Sequence, residues 1–427
     1  MSSSEWREVK LGEVCGIGSS KRIFASEYTS DGVAFFRSKE IIEKAKGEKI
    51  STNLYISENR FYEIESQYGT PQTGDILLTS VGTLGVPYLV RDERFYFKDG
   101  NLTWFKDFND ELVSVFLYYW FLSKYGKHQI DTKSIGSTQK ALTIDTLKKF
   151  DINLPPLQEQ KAIAQILSTL DEKIETNNKI NKTLEEMAEA IFKHWFVDFE
   201  FPNEDGEPYK SSGGEMVDSE LGPIPNGWEV KEADEIANIN IGKTPPRAIK
   251  ECFSYDPNDI KWISIKDLGN SGVYIFESSE YLKADAIERY NVKVVPDSSV
   301  VLSFKLTVGR VAITVGEMTT NEAIAHFNIE SGSQLSKEYL YLYLSQFDYE
   351  SLGNTSSIAR AVNSKIIKSM NILLPDRSRL REFSKLVNPV FEMIKEKSQE
   401  TIELKSIRDT LLPKLMSGEI RVPIDNE

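Results

Sequence analysis

Apolar positions along this chain switch period, and the switch happens twice. From Trp6 to Leu154, short apolar runs bounded by Gly, Pro, Asn and Asp predict strands and turns. After Pro155 the apolar residues recur at heptad spacing: Ile163, Ile166, Leu170, Ile180, Leu184, Met187 and Ile191. The same change comes at Pro375, 220 positions later, where Phe383, Leu386, Val390, Leu404, Ile407 and Leu411 take up the matching places. A repeat this long is a duplicated domain, not a solenoid. Each stripe predicts a helix of about 40 residues, roughly 60 Å. A one-sided stripe of that length needs a partner, and the other copy is the obvious one. Lys173 and Asn177 interrupt the first seam, as register-setting polar residues do. The alternative is two separate amphipathic helices, each lying on its own domain.

The parts before the helices also correspond. Trp6-Arg-Glu-Val-Lys10 matches Trp228-Glu-Val-Lys231 at an offset of 222, and Asp75–Gly85 matches Ser299–Gly309 at 224. Both of the latter read as a buried strand, a turn and a second strand. Helical patches follow at Glu111–Tyr125 and Lys337–Leu352, then polar loops at Gly136–Leu142 and Ser356–Val362. A last strand leads into each helix. The resulting divisions are 1–154, 155–197 (central helix), 198–224 (acidic linker), 225–374, 375–416 (distal helix) and 417–427 (tail).

Composition changes this picture little; charge changes it more. The 427 residues are 40% hydrophobic and 27% charged, ordinary for globular domains able to bury their own cores. Cys15 and Cys252 are too few for a disulfide framework or a cysteine-rich zinc site. They read as small buried apolar residues, in keeping with a reducing cytoplasm. No signal peptide is visible, and the apolar run Leu112–Leu122 is too short to span a bilayer. The net charge of −14 argues against a protein that grips phosphates unaided. Half of it sits in 198–220, where eight acids face only Lys210. A partner would therefore supply much of the charge in any nucleic-acid complex.

Catalytic signatures fail one by one. Gly242-Lys243-Thr244 lacks the earlier glycine of a phosphate-binding loop, since Ala237 stands there, and Pro245-Pro246 would remove the amides that cradle phosphate. His128, His194 and His326 are far apart and keep no metal-ligand spacing. Neither a nucleophile elbow nor an Asn/Asp-Pro-Pro-aromatic methyltransferase motif appears; Asp256-Pro257-Asn258 is the nearest to the latter.

Several segments, in order, resemble the specificity subunits of type I restriction–modification systems. They are Gly136–Leu142 followed by Ile152-Asn-Leu-Pro-Pro-Leu-Gln-Glu-Gln160; Ile191–Phe199 with Leu221-Gly-Pro-Ile-Pro-Asn-Gly-Trp228; and Leu411-Leu-Pro-Lys-Leu-Met-Ser-Gly-Glu-Ile420. The second copy departs from the pattern, with Pro375-Asp-Arg-Ser-Arg-Leu380 in place of Pro-Leu-Gln-Glu-Gln. The resemblance implies an α+β fold with a pseudo-twofold internal repeat. Two mixed α/β target-recognition domains with β-rich cores would be separated by two long helices packed as an antiparallel coiled coil. It implies a non-catalytic chain in which each domain reads one half of an asymmetric bipartite site on double-stranded DNA. The helices would set the spacing and dock two modification subunits, which carry S-adenosylmethionine and methylate adenine; restriction subunits would join for cleavage. The chain itself would hold no cofactor.

Base edges are read by polar side chains on loops, with Lys or Arg nearby to position phosphates. The candidates are Ser19, Ser20, Lys21, Arg22, Ser137, Thr138, Gln139 and Lys140 in the first domain. In the second they are Lys243, Thr244, Arg247, Ser356, Ser357 and Arg360. Thr79, Ser80, Thr83 and Lys305, near the strand turns, form a weaker set. The plainer reading is that these loops only turn the chain or dock a partner. Two other functions stay open: a two-headed protein scaffold unrelated to DNA, and an enzyme, such as a nuclease, with an unrecognised site.

Overall fold

The computed structural model describes residues 6–136, 140–330, 332–353 and 362–423. Its chain forms two compact units. Unit 1 takes residues up to Ile174 together with those from Glu403 onward; unit 2 is Glu175–Ile402.

In unit 1 the run Ile76–Thr79 is buried on both faces because it serves two cores at once. Alternate side chains of a strand point to opposite faces. Ile76 and Leu78 pack with the helix Ser114–Leu122, while Leu77 packs with Phe36, Phe95, Phe97 and Trp104. Its antiparallel sheet has the order Gly16–Gly18, Leu102–Lys106, Ile76–Thr79, Pro87–Leu89. A second sheet runs Tyr28–Thr29, Tyr55–Ile56, Val33–Phe36, Phe95–Phe97, with the last pair parallel. Arg7–Lys10 pairs with Asp151–Leu154, the strand that leads into the first long helix.

Unit 2 repeats this order and adds one strand to each sheet. The first is Asn238–Ile241, Ile324–Asn328, Val300–Ser303, Val311–Thr314, Tyr274–Ile275. The second is Phe253–Ser254, Glu280–Leu282, Ile260–Ile263, Met318–Thr320, Val294–Val295. Val300 and Leu302 face Tyr339 and Leu340; Val301 faces Ile263, Met318 and Ile324. Glu229–Glu232 pairs with Asn371–Leu374, as its counterpart does. The acidic stretch 198–224 also folds here, with Phe201 stacked on Tyr209 and Trp228 at centroid distances of 4.6 and 5.0 Å.

The long helices are α1 (Leu157–Phe196) and α2 (Arg377–Ser417). Within each unit, segments of the two lie antiparallel. In unit 1 the Arg408 guanidinium donates to Asp171 at 2.7 Å. In unit 2 Asn177 donates to Glu400 and Asn181 to Ser398, both at 3.0 Å. The buried line differs from the one the apolar stripe predicts. Ile163 and Phe383 are buried, and Leu170, Ile180, Leu184, Ile191, Val390, Leu404 and Leu411 are half-buried. Ile166 (36%), Met187 (49%), Leu386 (49%) and Ile407 (48%) are exposed, a correction to the expected seam. Leu167, Ile174, Asn177, Asn181 and Ala188 are buried instead, with Val387, Phe391, Ile394 and Thr401 on α2. Lys173 is exposed, so of the two expected polar interruptions only Asn177 is buried. Successive helical residues lie about 100° apart, so where two neighbours are both apolar, as at Ile166 and Leu167, packing against the other helix and the domain decides which of them is buried.

The Gln-Glu-Gln turn at the start of α1 ties unit 1 together. Gln160 accepts the Val113 amide at 2.9 Å and donates to the carbonyls of Glu111 and Pro155 at 2.8 and 2.9 Å. Glu159, fully buried, accepts two bonds from Arg421 at 2.7 and 2.8 Å. At α2 the divergent Asp376 instead caps the amides of Ser378 and Arg379 and accepts from Trp228 Nε1 at 3.2 Å.

Candidate nucleic-acid interface

Three stretches of unit 1 converge at one end of its first sheet. The segment after Gly16–Gly18 carries Ser19, Ser20, Lys21 and Arg22. Arg22 Nε donates to Asp99 at 2.8 Å, the Lys21 amide to Tyr96 Oη at 2.7 Å, and the Gly100 amide reaches Ser19 Oγ at 3.5 Å. The turn after Ile76–Thr79 joins them, because the Ser80 amide donates to Asn101 O at 2.8 Å. Lys140 is brought in by the Gly82 amide, which donates to its carbonyl at 3.3 Å. Lys21, Arg22, Thr83 and Lys140 are exposed. Lys21 also lies 4.9 Å over the ring of exposed Tyr68, leaving a cation beside an aromatic face at the surface.

Unit 2 brings together the counterparts of two of these stretches; the counterpart of the Lys140 loop lies almost wholly outside the described residues. Gly242 turns the chain where a Cβ would meet Thr320 Oγ1 at 2.1 Å and Asn321 O at 2.2 Å, so only glycine passes. This is a structural turn, as its sequence implies. Beyond it, Lys243 is exposed and Thr244 donates its hydroxyl to Glu322. The turn after Val300–Ser303 lies alongside, since the Phe304 amide donates to Ala323 O at 2.9 Å. The Thr244 bond holds the Glu322 carboxyl below the usual carboxylate range despite partial burial, with Lys305 and Arg247 adding to the effect.

The structure sorts the candidates. Arg247 is exposed but engaged: it makes a two-pronged ion pair with Glu280, both bonds 2.9 Å, and lies 4.2 and 4.4 Å over Phe253 and Trp262. Thr79 and Ser80 are buried and hold the turn: Thr79 Oγ1 accepts the Val86 amide at 2.9 Å, and Ser80 Oγ meets Thr103 Oγ1 at 2.5 Å. That corrects their reading as surface groups. Ser137, Thr138, Gln139, Ser356, Ser357 and Arg360 lie outside the described residues. The sequence reading missed the acidic partners Asp99, Glu280 and Glu322, which are distant in the chain from the cations they face.

Among the described residues no group of three or more His, Cys, Asp or Glu is placed to hold a metal ion. Nor is any described helix long and apolar enough to cross a membrane. His326 is buried in the first sheet of unit 2, its Nε2 2.5 Å from Thr320 Oγ1, and burial lowers its pKa to about 4.

Comparison with known proteins settles the kinship. The chain matches the type I restriction modification DNA specificity domain twice, over residues 3–186 and 225–404. It belongs to the type I restriction–modification specificity subunit family. The MjaIX specificity subunit of Methanocaldococcus jannaschii is 30% identical over 96% of this chain and 92% of its own length. The HindI specificity subunit of Haemophilus influenzae is 29% identical over 67% of this chain and 73% of its own. A type I S subunit of M. genitalium shares the fold, with a TM-score of 0.61 at 16% identity and 97% of each chain covered. The two matched stretches begin near Trp6 and Trp228 and run through most of each long helix, so the repeat read from periodicity is the family's repeat.

Proposed function

We propose that this specificity subunit reads an asymmetric bipartite DNA sequence, one half-site per unit, and is not itself catalytic. The carrying observation is that both units bring the same two loops together on the same strand order and furnish them differently. Ser19–Arg22, Thr83 and Lys140 stand in unit 1; Lys243, Thr244, Arg247 and Lys305 stand in unit 2. Arg22 and Arg247 are pre-oriented by acids, so they can meet base edges or phosphates at little entropic cost. The exposed Lys21, Lys140, Lys243 and Lys305 suit phosphate contacts.

Two modification subunits would bring S-adenosylmethionine and methylate adenine, and restriction subunits would add cleavage. The exposed apolar residues of the helices support a duplicated docking site. Ile166 and Ile407 belong to unit 1; Leu386 and Met187, their repeat equivalents, belong to unit 2. Large apolar side chains left on helix surfaces at matching places point to partner contacts. Helix length would set the gap between half-sites.

The test is co-expression with the cognate modification subunit and genome-wide mapping of methylated adenine. The expected result is one gapped motif that depends on this chain. Methylation without such a motif overturns the reading. The acidic balance of −14 favours a second possibility, a protein scaffold without a DNA role, which that same outcome would support.

A further inference from the structure

Leu306 stands at the tip of the turn between Val300–Ser303 and Val311–Thr314, 95% exposed and with φ of +64°. Both features are unfavourable. Its apolar surface stays in water, and a leucine in the left-handed region presses its Cβ toward the following carbonyl oxygen. The turn around it is well held. Ser303 Oγ donates to Thr307 O at 2.6 Å and accepts the Arg310 amide at 3.1 Å. The Gly309 amide donates to Ser303 O at 2.9 Å, and buried Phe304 anchors the entry. Unit 1 makes the same bend with Gly82, φ +79°, where an added Cβ would meet open space. Glycine would therefore serve the backbone, yet unit 2 carries a large apolar side chain on a stiff tip. Exposed Lys305 precedes it, and Lys243 and Thr244 lie in the neighbouring stretch.

We propose that Leu306 is a wedge that enters a DNA groove and opens one base-pair step in the half-site read by unit 2, with Lys305 on an adjacent phosphate. This rests on the DNA-recognition reading above. Apolar wedges partly unstack a step and kink the duplex, and pyrimidine–purine steps yield most easily. Unit 1, with Gly82, would leave its half-site stacked. The side chain would thus impose a preference through deformability at a step whose base edges need not be touched.

The experiment uses the complex assembled with its modification subunits. Duplexes of the methylated motif carry 2-aminopurine at successive positions other than the target adenine. Wild type should raise fluorescence at one step of the unit 2 half-site. L306A should abolish that rise and weaken binding about tenfold. L306G should do the same while its thermal midpoint is unchanged or higher, because glycine relaxes the strained φ. L306M should stay within about threefold of wild type. Wild-type affinity in L306A, or lost affinity with the fluorescence step intact, overturns the wedge. So does loss of modification-subunit assembly with DNA contact preserved, which would make Leu306 a protein contact. A wild-type complex that binds no bipartite DNA removes the wedge and the DNA reading together, and is seen before any variant is made.

Discussion

Single side chains in this protein earn their positions through partners far away in the chain. Glu159 is buried and neutralised by Arg421, more than 260 positions later. Arg421→Ala should strand that carboxylate and lower the stability of unit 1 by about 2 kcal/mol, less than a fully buried pair would lose because the arginine is partly exposed. Chemical denaturation would measure it, and Lys at the same position should recover only part, since it cannot make two parallel bonds. Glu185 presents the opposite case. Burial, followed by Glu189 and Glu186, raises its pKa to about 7. The folded state therefore holds the proton more tightly than the unfolded state. The associated stability is fully present below the ordinary glutamate range and is lost as pH rises through 7. Glu185→Gln should match wild type near pH 4 and be more stable at pH 8, by about 3 kcal/mol at most. Thermal melts at the two pH values would show the gap opening; a constant gap contradicts the assignment.

At the scale of the element, the informative parts are the helices and the turns. In unit 2 Asn177 and Asn181 share the buried line with Ala188, Phe391, Ile394 and Thr401, and among the described residues each leaves its Oδ1 without a hydrogen-bond partner. Polar groups inside an apolar seam cost stability and select one register. Replacing both with leucine should raise the melting temperature of unit 2. It should also let cysteine pairs placed one turn out of register crosslink, which they do not in wild type. Among the turns, Lys243→Ala and Lys305→Ala should each weaken binding of the full complex to its motif severalfold and reduce the salt dependence by about one counterion. Relaxed sequence preference would mean that the lysines read bases instead.

For the whole molecule, duplication separates what is shared from what is specific. Strand order, the strand-to-helix junction and the seam are common to both copies, while the loop side chains differ. Exchanging residues 6–154 for those of a relative should alter one half of the methylated motif and leave the other half unchanged; a change in both halves contradicts one unit per half-site. Adding four residues to α1 and four to α2 should lengthen the gap of the motif without changing either half, as read from the methylome.

The primary structure by itself determined the repeat, the strand-rich parts and the two long helices, because these follow from local periodicity and from proline and glycine at element ends. Strands buried on both faces, such as Ile76–Thr79 and Val300–Ser303, were legible for the same reason: an unbroken apolar run of three residues suits cores on both sides. Only the tertiary structure decided which side of each helix is buried. Ile166 and Leu167 are adjacent and both apolar; they point about 100° apart, and which direction is covered is set by what packs there, not by hydrophobicity. Tertiary structure also decided which cations are free and which are paired, since Arg22 and Asp99, or Arg247 and Glu280, meet only after strands distant in sequence have joined one sheet or its neighbour. Leu306 belongs to the same class. Its letter is an ordinary leucine, and what marks it is the left-handed bend and the solvent around it, which the surrounding strands impose.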